Sequence, residues 1–219
     1  LVLPMQNGRF LPVAFLLASL HLAAQPVLKF VENRGQWPDR VLFRADAPDA
    51  VIWCEPGGFL IDRFDAQAVE HLHAGRGNGY DPNAPRTIRH HALRLRFLDA
   101  TGPVLTEGIG VQRGSYNYFL GNDPHRWASN AHAFSAVVQH GLYPGTSLRL
   151  RSGGEVMKYD LVVAPGADPH MIRFKYEGAN AIALKDGKLQ IATSLGEVVE
   201  EVPLAYQMKD GISSACLAA

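Results

Sequence analysis

Charge, cysteine and long apolar runs are all scarce in this chain. Charged residues make up 19% of the 219 residues, and 21 basic residues are balanced by 21 acidic ones. This balance removes the electrostatic basis on which basic proteins bind nucleic acid, so no nucleic-acid partner is predicted. The apolar fraction of 47% is too high for a disordered chain. The 21 glycines and 14 prolines interrupt the long helices that a coiled coil needs.

No apolar run reaches the roughly 20 residues that a transmembrane helix requires, so no membrane span is predicted. The run Leu11–Ala18 follows Arg9, the single charged residue of the first 24, and precedes small residues that end at Ala24. A basic start, a short apolar run and small residues are typical of a secretory signal peptide. We therefore predict that residues 1–24 are a signal peptide and that the protein is secreted or displayed on the cell surface.

The chain has only two cysteines, Cys54 in an apolar stretch and Cys216 near the end. Export to an oxidising compartment would allow them to form a disulfide. The favoured interpretation is that Cys54 is a buried thiol that behaves as a small apolar residue. No Cys/His spacing typical of a structural zinc site occurs, and no cofactor is predicted.

Several segments alternate apolar and polar residues with a period of two, which is typical of half-buried strands. In His91–Phe97 the apolar positions are 93, 95 and 97, and Met157–Val163 and Ile172–Tyr176 follow the same rule. Strands with one solvated face belong to antiparallel sheets. Asp186-Gly187 and the glycines after Ser152 lie between such segments and predict hairpins. The sequence therefore predicts an all-β, antiparallel, β-sandwich-like module.

Helical signals are few. Residues 66–73 predict two helical turns, while Asp123-Pro124 and Asp168-Pro169 predict short connector helices, each with an aspartate N-cap. Residues 75–88 are rich in turn formers and predict a mobile loop. This loop would separate an N-terminal strand set at 25–74 from a main β module at 89–207. Two lobes and one continuous sandwich with a long loop remain alternatives, and residues 208–219 are expected to be a truncated or atypical tail.

No catalytic constellation stands out. Ser115 lacks the G-x-S-x-G frame of a nucleophile elbow. Glu197, Glu200 and Glu201 resemble the paired carboxylates of a glycosidase, but a hairpin strand with its acidic side chains in solvent is the favoured interpretation.

Nine histidines raise the question of a metal site. His71 and His73 lie two residues apart, and a secreted metal-dependent hydrolase would use some of the histidines together with Asp62 or Asp160. Such a site needs three or four convergent ligands, which the spacing does not specify. No metal site is predicted, and the hydrolase remains the alternative function.

Aromatic residues are the remaining candidates for a binding site. Tyr116, Tyr118 and Trp127 lie close together in the sequence and would form a platform on which a sugar ring stacks, as in a carbohydrate-binding module. The favoured alternative is that these three side chains pack a corner of the sandwich, where they would bury large apolar areas.

Several sequence blocks, in a fixed order, resemble one family. They are Phe30–Trp37 (FVENRGQW), Val41–Asp46, His91–Leu98, Tyr116–Pro124, Leu142–Gly145, Tyr159–Pro169, Thr193–Glu197 and Pro203–Gln207. Together they resemble the N-terminal module of large exported Bacteroidetes-type surface proteins. Those proteins carry SBBP repeats related to β-propellers, and a C-terminal sorting domain associated with gliding motility.

This resemblance implies a mainly β module with no assigned activity and no established catalytic residues, that is, a domain of unknown function. We therefore expect a non-catalytic module that supports adhesion, display or domain assembly. Its expected partners are downstream domains of the parent protein, other surface proteins and glycans.

Overall fold

The all-β prediction is confirmed. The computed structural model describes residues 27–77, 87–100, 105–201, 203–209 and 212–215, and within these ranges it contains seventeen strands, one α-helix and two short 3-10 helices. Every strand pair is antiparallel. The predicted signal peptide lies outside the described residues. Within them, no helix has the length and apolar character needed to cross a membrane.

One ten-stranded sheet dominates the structure. Its strands are β1 (Phe30–Glu32), β2 (Phe43–Ala47), β3 (Ala50–Glu55), β4 (Gly58–Phe64), β5 (His90–Phe97), β6 (Leu105–Val111), β9 (Ala133–Tyr143), β10 (Thr146–Ser152), β11 (Met157–Val163) and β12 (Phe174–Glu177). Their spatial order is β11-β10-β9-β1-β2-β3-β4-β5-β12, with β6 paired to β9 in addition. The sheet curls into a half-barrel, which gives it a concave and a convex face.

Three smaller sheets complete the fold. Their strands are β7 (Tyr116–Phe119) with β8 (Trp127–Ala131), β13 (Ala181–Lys185) with β14 (Lys188–Thr193) and β15 (Gly196–Glu200), and β16 (Tyr206–Lys209) with β17 (Ile212–Ala215). The β16–β17 hairpin falls mostly within the segment expected to be an atypical tail.

The core fills the concave face of the large sheet. The predicted alternation in β5 is confirmed, because Leu93, Leu95 and Phe97 are all buried. Leu95 and Phe97 belong to a core in which side chains from opposite ends of the sheet meet, and each fully buried large apolar side chain contributes about 1.5–3 kcal/mol. The main cluster comprises Leu28, Phe30, Phe43, Ala45, Ile52, Cys54, Phe59, Leu95, Phe97, Val137, Leu142, Tyr143, Leu148 and Leu150.

The large sheet takes strands from both sides of the predicted loop at 75–88, since β4 pairs with β5 along its whole length. The helix α1 (Ala66–Gly77) is longer than the two predicted turns and includes the first three residues of that loop. Asp65 starts it by accepting a hydrogen bond from the Ala68 N–H at 3.2 Å. Glycines at 75 and 77 are poor helix formers, and they concealed this extension. Residues 78–86 of the loop lie outside the described residues.

The predicted hairpins and connectors are confirmed. Asp186 and Gly187 join β13 to β14 with φ angles of 51° and 77°, and positive φ at both positions is characteristic of a type I′ turn. The Ser152 segment joins β10 to β11. Asp123 and Asp168 each cap a short 3-10 helix, at Pro124–Arg126 and Pro169–Met171.

A buried glutamine on β9 connects the two halves of the concave face. Gln139 is fully buried; its side-chain oxygen accepts from the Gly57 N–H at 2.8 Å, and its amide donates to the Glu55 carbonyl at 2.8 Å. Both partners belong to the turn between β3 and β4. The next residue, Gly58, must lack a side chain, because a Cβ there would lie 2.2 Å from the Leu95 carbonyl oxygen.

Replacing Gln139 with leucine should lower the free energy of unfolding by about 3 kcal/mol. Leucine keeps the volume but leaves two buried backbone groups without partners, each of which costs about 1–3 kcal/mol. Urea denaturation would measure the change. Gln112→Leu is the matched control, since the Gln112 side-chain amide donates to the carbonyl of the exposed Gly110, and it should change the stability by less than about 0.5 kcal/mol. Equal effects of the two substitutions would contradict the role given to Gln139.

Candidate functional site

The three aromatic residues singled out in the sequence all lie on the β7–β8 ribbon, but they do not form one platform. Tyr118 is opposite Ala128, whereas Phe119 is opposite Trp127. Because neighbouring residues of a strand point to opposite faces, Tyr118 and Trp127 project from opposite sides of the ribbon. Tyr116 is 37% exposed. The structure therefore separates Trp127 from Tyr118.

Trp127 forms a pair of exposed rings with Phe119. The two rings meet edge to face, with centroids 5.7 Å apart, and the indole N–H of Trp127 donates to the Gly121 carbonyl at 3.1 Å. Phe119 is 65% exposed and Trp127 is 44% exposed. The Trp127 ring is therefore held in a fixed orientation while much of its surface faces solvent.

Tyr118, in contrast, packs into an aromatic cluster on the large sheet. Its ring lies 5.1 Å from that of Trp37, which in turn lies 5.9 Å from Trp53, both in edge-to-face contact. Burial raises the pKa of the Tyr118 phenol above its ordinary value. For Tyr118 the structure supports the packing interpretation over the ligand platform.

A positively charged side chain, that of Arg44, also belongs to this cluster. The Arg44 guanidinium lies 5.1 Å from the Trp53 ring centre and 5.7 Å from that of Trp37, and it forms an ion pair with Asp46 at 2.6 Å. Cation–π contacts of this kind contribute about 0.5–2 kcal/mol. Arg44 therefore occupies the position over these rings that a ligand cation would take. Through Tyr118 and Trp37, the cluster attaches the β7–β8 ribbon to Trp53 on β3.

Sequence reasoning did not identify Arg44 and Trp53 as neighbours. They are direct cross-strand partners in the β2–β3 hairpin. Knowing the register of that hairpin would have identified the pair, because opposite residues of an antiparallel pair lie side by side.

The segment Glu32–Trp37, part of the first of the blocks that carry the family resemblance, forms a loop organised by one asparagine. The side-chain amide of Asn33 donates to three carbonyls, the closest being that of Val41 at 2.7 Å, and its oxygen accepts from the N–H groups of Gly35 and Trp37. Gly35 has a φ of +105°, which glycine adopts without strain. This loop places Trp37 in the aromatic cluster.

Two further side chains complete this loop. Gln36 is fully buried, accepting from the Arg34 N–H and donating to the Glu32 carbonyl. The Glu32 carboxylate accepts from the backbone N–H of His132 at 2.8 Å and contacts the His132 ring at 3.1 Å. Burial alone would raise the pKa of Glu32, but the His132 hydrogen bonds and the charge of Arg34 outweigh it, so the pKa lies below its ordinary value.

The two carboxylates considered as metal ligands, Asp62 and Asp160, each bond another side chain. Asp62 contacts the His90 ring at 3.1 Å, and Asp160 forms a two-bond ion pair with Arg151. His71 is exposed on α1, and the His73 side chain lies outside the described residues. The described parts of the chain contain no group of three His, Cys, Asp or Glu side chains that would hold a metal ion.

Cys54 is buried, and burial raises the pKa of its thiol far above the ordinary value. The prediction of a buried thiol is confirmed. Cys216 lies outside the described residues, so the disulfide stays a prediction.

The expectation that Glu200 lies in solvent is wrong. Its carboxylate accepts hydrogen bonds from the hydroxyls of Tyr159, at 3.3 Å, and Tyr176. Tyr159 is on β11 and Tyr176 is on β12, the two end strands of the curled sheet. Burial, followed by the nearby carboxylate, raises the pKa of both phenols well above the ordinary value, so they remain hydrogen-bond donors. Glu201 is exposed as expected and pairs with Lys188.

The chain belongs to a family described as a domain of unknown function (DUF7948), whose model matches residues 30–216. The match begins at the strand that leads into the Asn33 loop and extends through the β16–β17 hairpin. No curated protein and no solved structure shows significant similarity to the chain. The family assignment therefore brings no known activity with it.

Replacing Glu32 with glutamine should destabilise the protein by about 1 kcal/mol near neutral pH, because the amide binds His132 more weakly than a carboxylate does. Since the pKa of Glu32 is lowered in the folded state, its stabilisation is complete above the ordinary value of 4.5 and is lost as the pH falls through the folded-state pKa. The difference from wild type should therefore shrink on acidification.

Denaturation with urea at about pH 6 and at successively lower pH would measure this difference. The exposed Glu155 provides the matched control, and Glu155→Gln should show a small difference throughout. A Glu32→Gln effect that stays constant down to strongly acidic pH would contradict the assignment.

Proposed function

We propose that the chain is a non-catalytic β domain of an exported cell-surface or secreted protein, in which it supports adhesion, display or domain assembly. The signal-peptide pattern of residues 1–24 supports export. The resemblance of the sequence blocks to proteins with SBBP repeats and gliding-motility-associated sorting domains supports a place at the front of such a surface protein. Membership of a family without an assigned activity is compatible with this role.

The observation that carries this proposal is the uncovered apolar edge of the β13–β15 sheet. The registers place Ile182 directly opposite Ile191, and Leu184 lies two residues farther along on the same face. Ile191 is fully buried, yet Ile182 is 46% exposed and Leu184 is 76% exposed. The face that covers the core therefore continues as apolar surface into solvent, as expected of a surface that another domain or protein covers.

Exposed apolar side chains on the β6–β9 ribbon give the same indication. Leu105 and Val111 on β6 are both largely exposed. β6 itself contains two glycines, and Gly108 cannot carry a side chain because a Cβ would lie 2.4 Å from the Phe134 ring. Exposed apolar side chains that share one strand support a protein partner.

Introducing a charge at the uncovered edge should disrupt this partner contact. Leu184→Lys is expected to weaken binding of the purified chain to cells of the source organism by about tenfold or more, because a lysine would be buried in the contact. Flow cytometry with labelled protein would measure the binding. The urea midpoint should not change, since Leu184 is mostly exposed in the isolated chain.

Val156→Lys is the matched control, because Val156 is similarly exposed but lies in the β10–β11 turn, and it should bind like wild type. Equal binding by both variants would contradict a partner at the β13–β15 edge. Reproducible turnover in a hydrolysis screen that is lost in His71→Ala would contradict the non-catalytic proposal as a whole.

The exposed rings of Phe119 and Trp127 favour glycans as a second kind of ligand. Sugar rings stack on exposed aromatic faces, and the hydrogen bond to Gly121 already fixes the Trp127 ring. Pre-orientation reduces the entropy lost on binding. This second proposal retains Trp127 from the predicted set but replaces Tyr118 by Phe119.

A glycan array tests this second proposal. Wild-type protein should bind at least one glycan, and Trp127→Ala should reduce that binding about tenfold through the loss of the stacking surface. Tyr206→Ala is the control, because Tyr206 is an exposed aromatic residue on a different sheet. The absence of any ligand, or equal loss in both variants, would exclude a site at Trp127.

A further inference from the structure

Two nitrogen atoms on neighbouring strands are buried and have no hydrogen-bond partner among the residues that the structure describes. They are Nη1 of Arg63 on β4 and Nε2 of His91 on β5. The two residues are direct cross-strand partners, so their side chains emerge on the same face, with Cβ atoms about 4.5–5.5 Å apart. By the alternation of β5, this is also the face of Leu93, the concave face.

The hydrogen bonds of His91 determine which ring nitrogen carries the proton. The backbone N–H of Ser194, in the turn between β14 and β15, donates to Nδ1 of His91 at 3.2 Å. A nitrogen that accepts an N–H has no proton of its own, so the neutral ring carries its proton on Nε2. The orphan atom of His91 is therefore a hydrogen-bond donor.

Arg63 supplies a second donor that lacks an acceptor. Its Nη2 donates to the Asp49 carboxylate at 2.9 Å, whereas no acceptor for its Nη1 lies in the described part of the chain. Asp62 and His90, which pair with each other, are the neighbours of these residues along the chain and therefore project from the opposite face. Asp49 is therefore the acidic side chain that bonds Arg63, and it accepts from Nη2 rather than from Nη1.

Buried donors without acceptors are rare in folded proteins, and each one needs an explanation, of which a bound ion or water molecule is one. Here two such donors, one of them cationic, belong to adjacent side chains on one face. One oxyanion can accept hydrogen bonds from both donors at once. Either a single oxygen accepts from the guanidinium and the imidazole, or two oxygens of the same group accept one bond each.

We propose that Arg63 and His91 form a binding site for a single oxyanion group, either a phosphate or the carboxylate of an acidic sugar or side chain. Ser194 is a positioning residue that holds the imidazole with Nε2 as the donor. Both nitrogens are buried in the structure, so an anion reaches them only when neighbouring groups move aside. This proposal does not rest on the surfaces proposed above.

Binding can be tested with inorganic phosphate and with glucuronate, each compared with chloride at equal ionic strength. The ³¹P resonance of phosphate should broaden in the presence of wild-type protein, and glucuronate should reverse the broadening if the site accepts carboxylates as well. The thermal midpoint should rise with ligand concentration in the saturable manner of a ligand that binds only the folded state.

Arg63→Gln should weaken phosphate binding about tenfold or more, because a charge-assisted hydrogen bond is lost. Arg89→Gln is the matched control, since Arg89 forms an exposed ion pair with Asp65, and it should bind phosphate like wild type. If Arg63→Gln does not fold, the phosphate–glucuronate competition on wild-type protein still decides the question.

Three results would overturn the proposal. They are the absence of saturable ³¹P broadening, equal phosphate binding by Arg63→Gln and wild type, and a crystal grown in phosphate with only a water molecule bonded to both nitrogens. Phosphate also stabilises proteins nonspecifically, and that effect would appear equally in all variants.

Discussion

The fold depends on one strand, β9, forming hydrogen bonds along both of its edges. Phe134 pairs with Phe30 of β1 and with Val111 of β6, while Ala136 pairs with Arg151 of β10 and with Ile109 of β6. A strand has only two edges, so β6 occupies one edge, and β1 and β10 share the other. The sheet therefore divides at β9 into a short branch, β10–β11, and a long branch from β1 to β12. Side chains of both branches meet in one core, in which Leu148 of β10 shares a cluster with Leu95 of β5.

Polar contacts join distant parts of the long branch to β9 and to the end of the short branch. Gln139 bonds the turn between β3 and β4 across the concave face. The Tyr143 hydroxyl donates to the carbonyl of Leu98, the residue that follows β5, at 2.6 Å. Glu200 brings β15 against the end strands β11 and β12 through Tyr159 and Tyr176. Buried polar groups are costly unless they are fully paired, so these contacts favour one curvature of the sheet over a range of curvatures.

The local features of the fold could be predicted from the sequence, because they depend on residues that are close in the chain. The strand alternation of β5, the Asp186-Gly187 turn and the aspartate caps at 123 and 168 all follow from neighbouring residues. The contacts of Glu200 could not be predicted in this way, because its partners lie 24 and 41 residues earlier and meet it only after the sheet has curled. The separation of Trp127 from Tyr118 depended on the register of β7 and β8, since a shift of one residue would reverse the face of each ring.

The most recognisable sequence block does not mark a ligand site. In the segment from Glu32 to Trp37, the polar groups of Asn33 and Gln36 bond the loop's own backbone or nearby carbonyls, and Trp37 packs beside Arg44. Such a segment specifies how the chain turns between β1 and β2. The side chains that remain available to solvent lie elsewhere, at Phe119 and Trp127 on one ribbon and at Leu184 on the β13–β15 sheet. The loop therefore shapes the fold, whereas the exposed side chains are the ones that we propose contact other molecules.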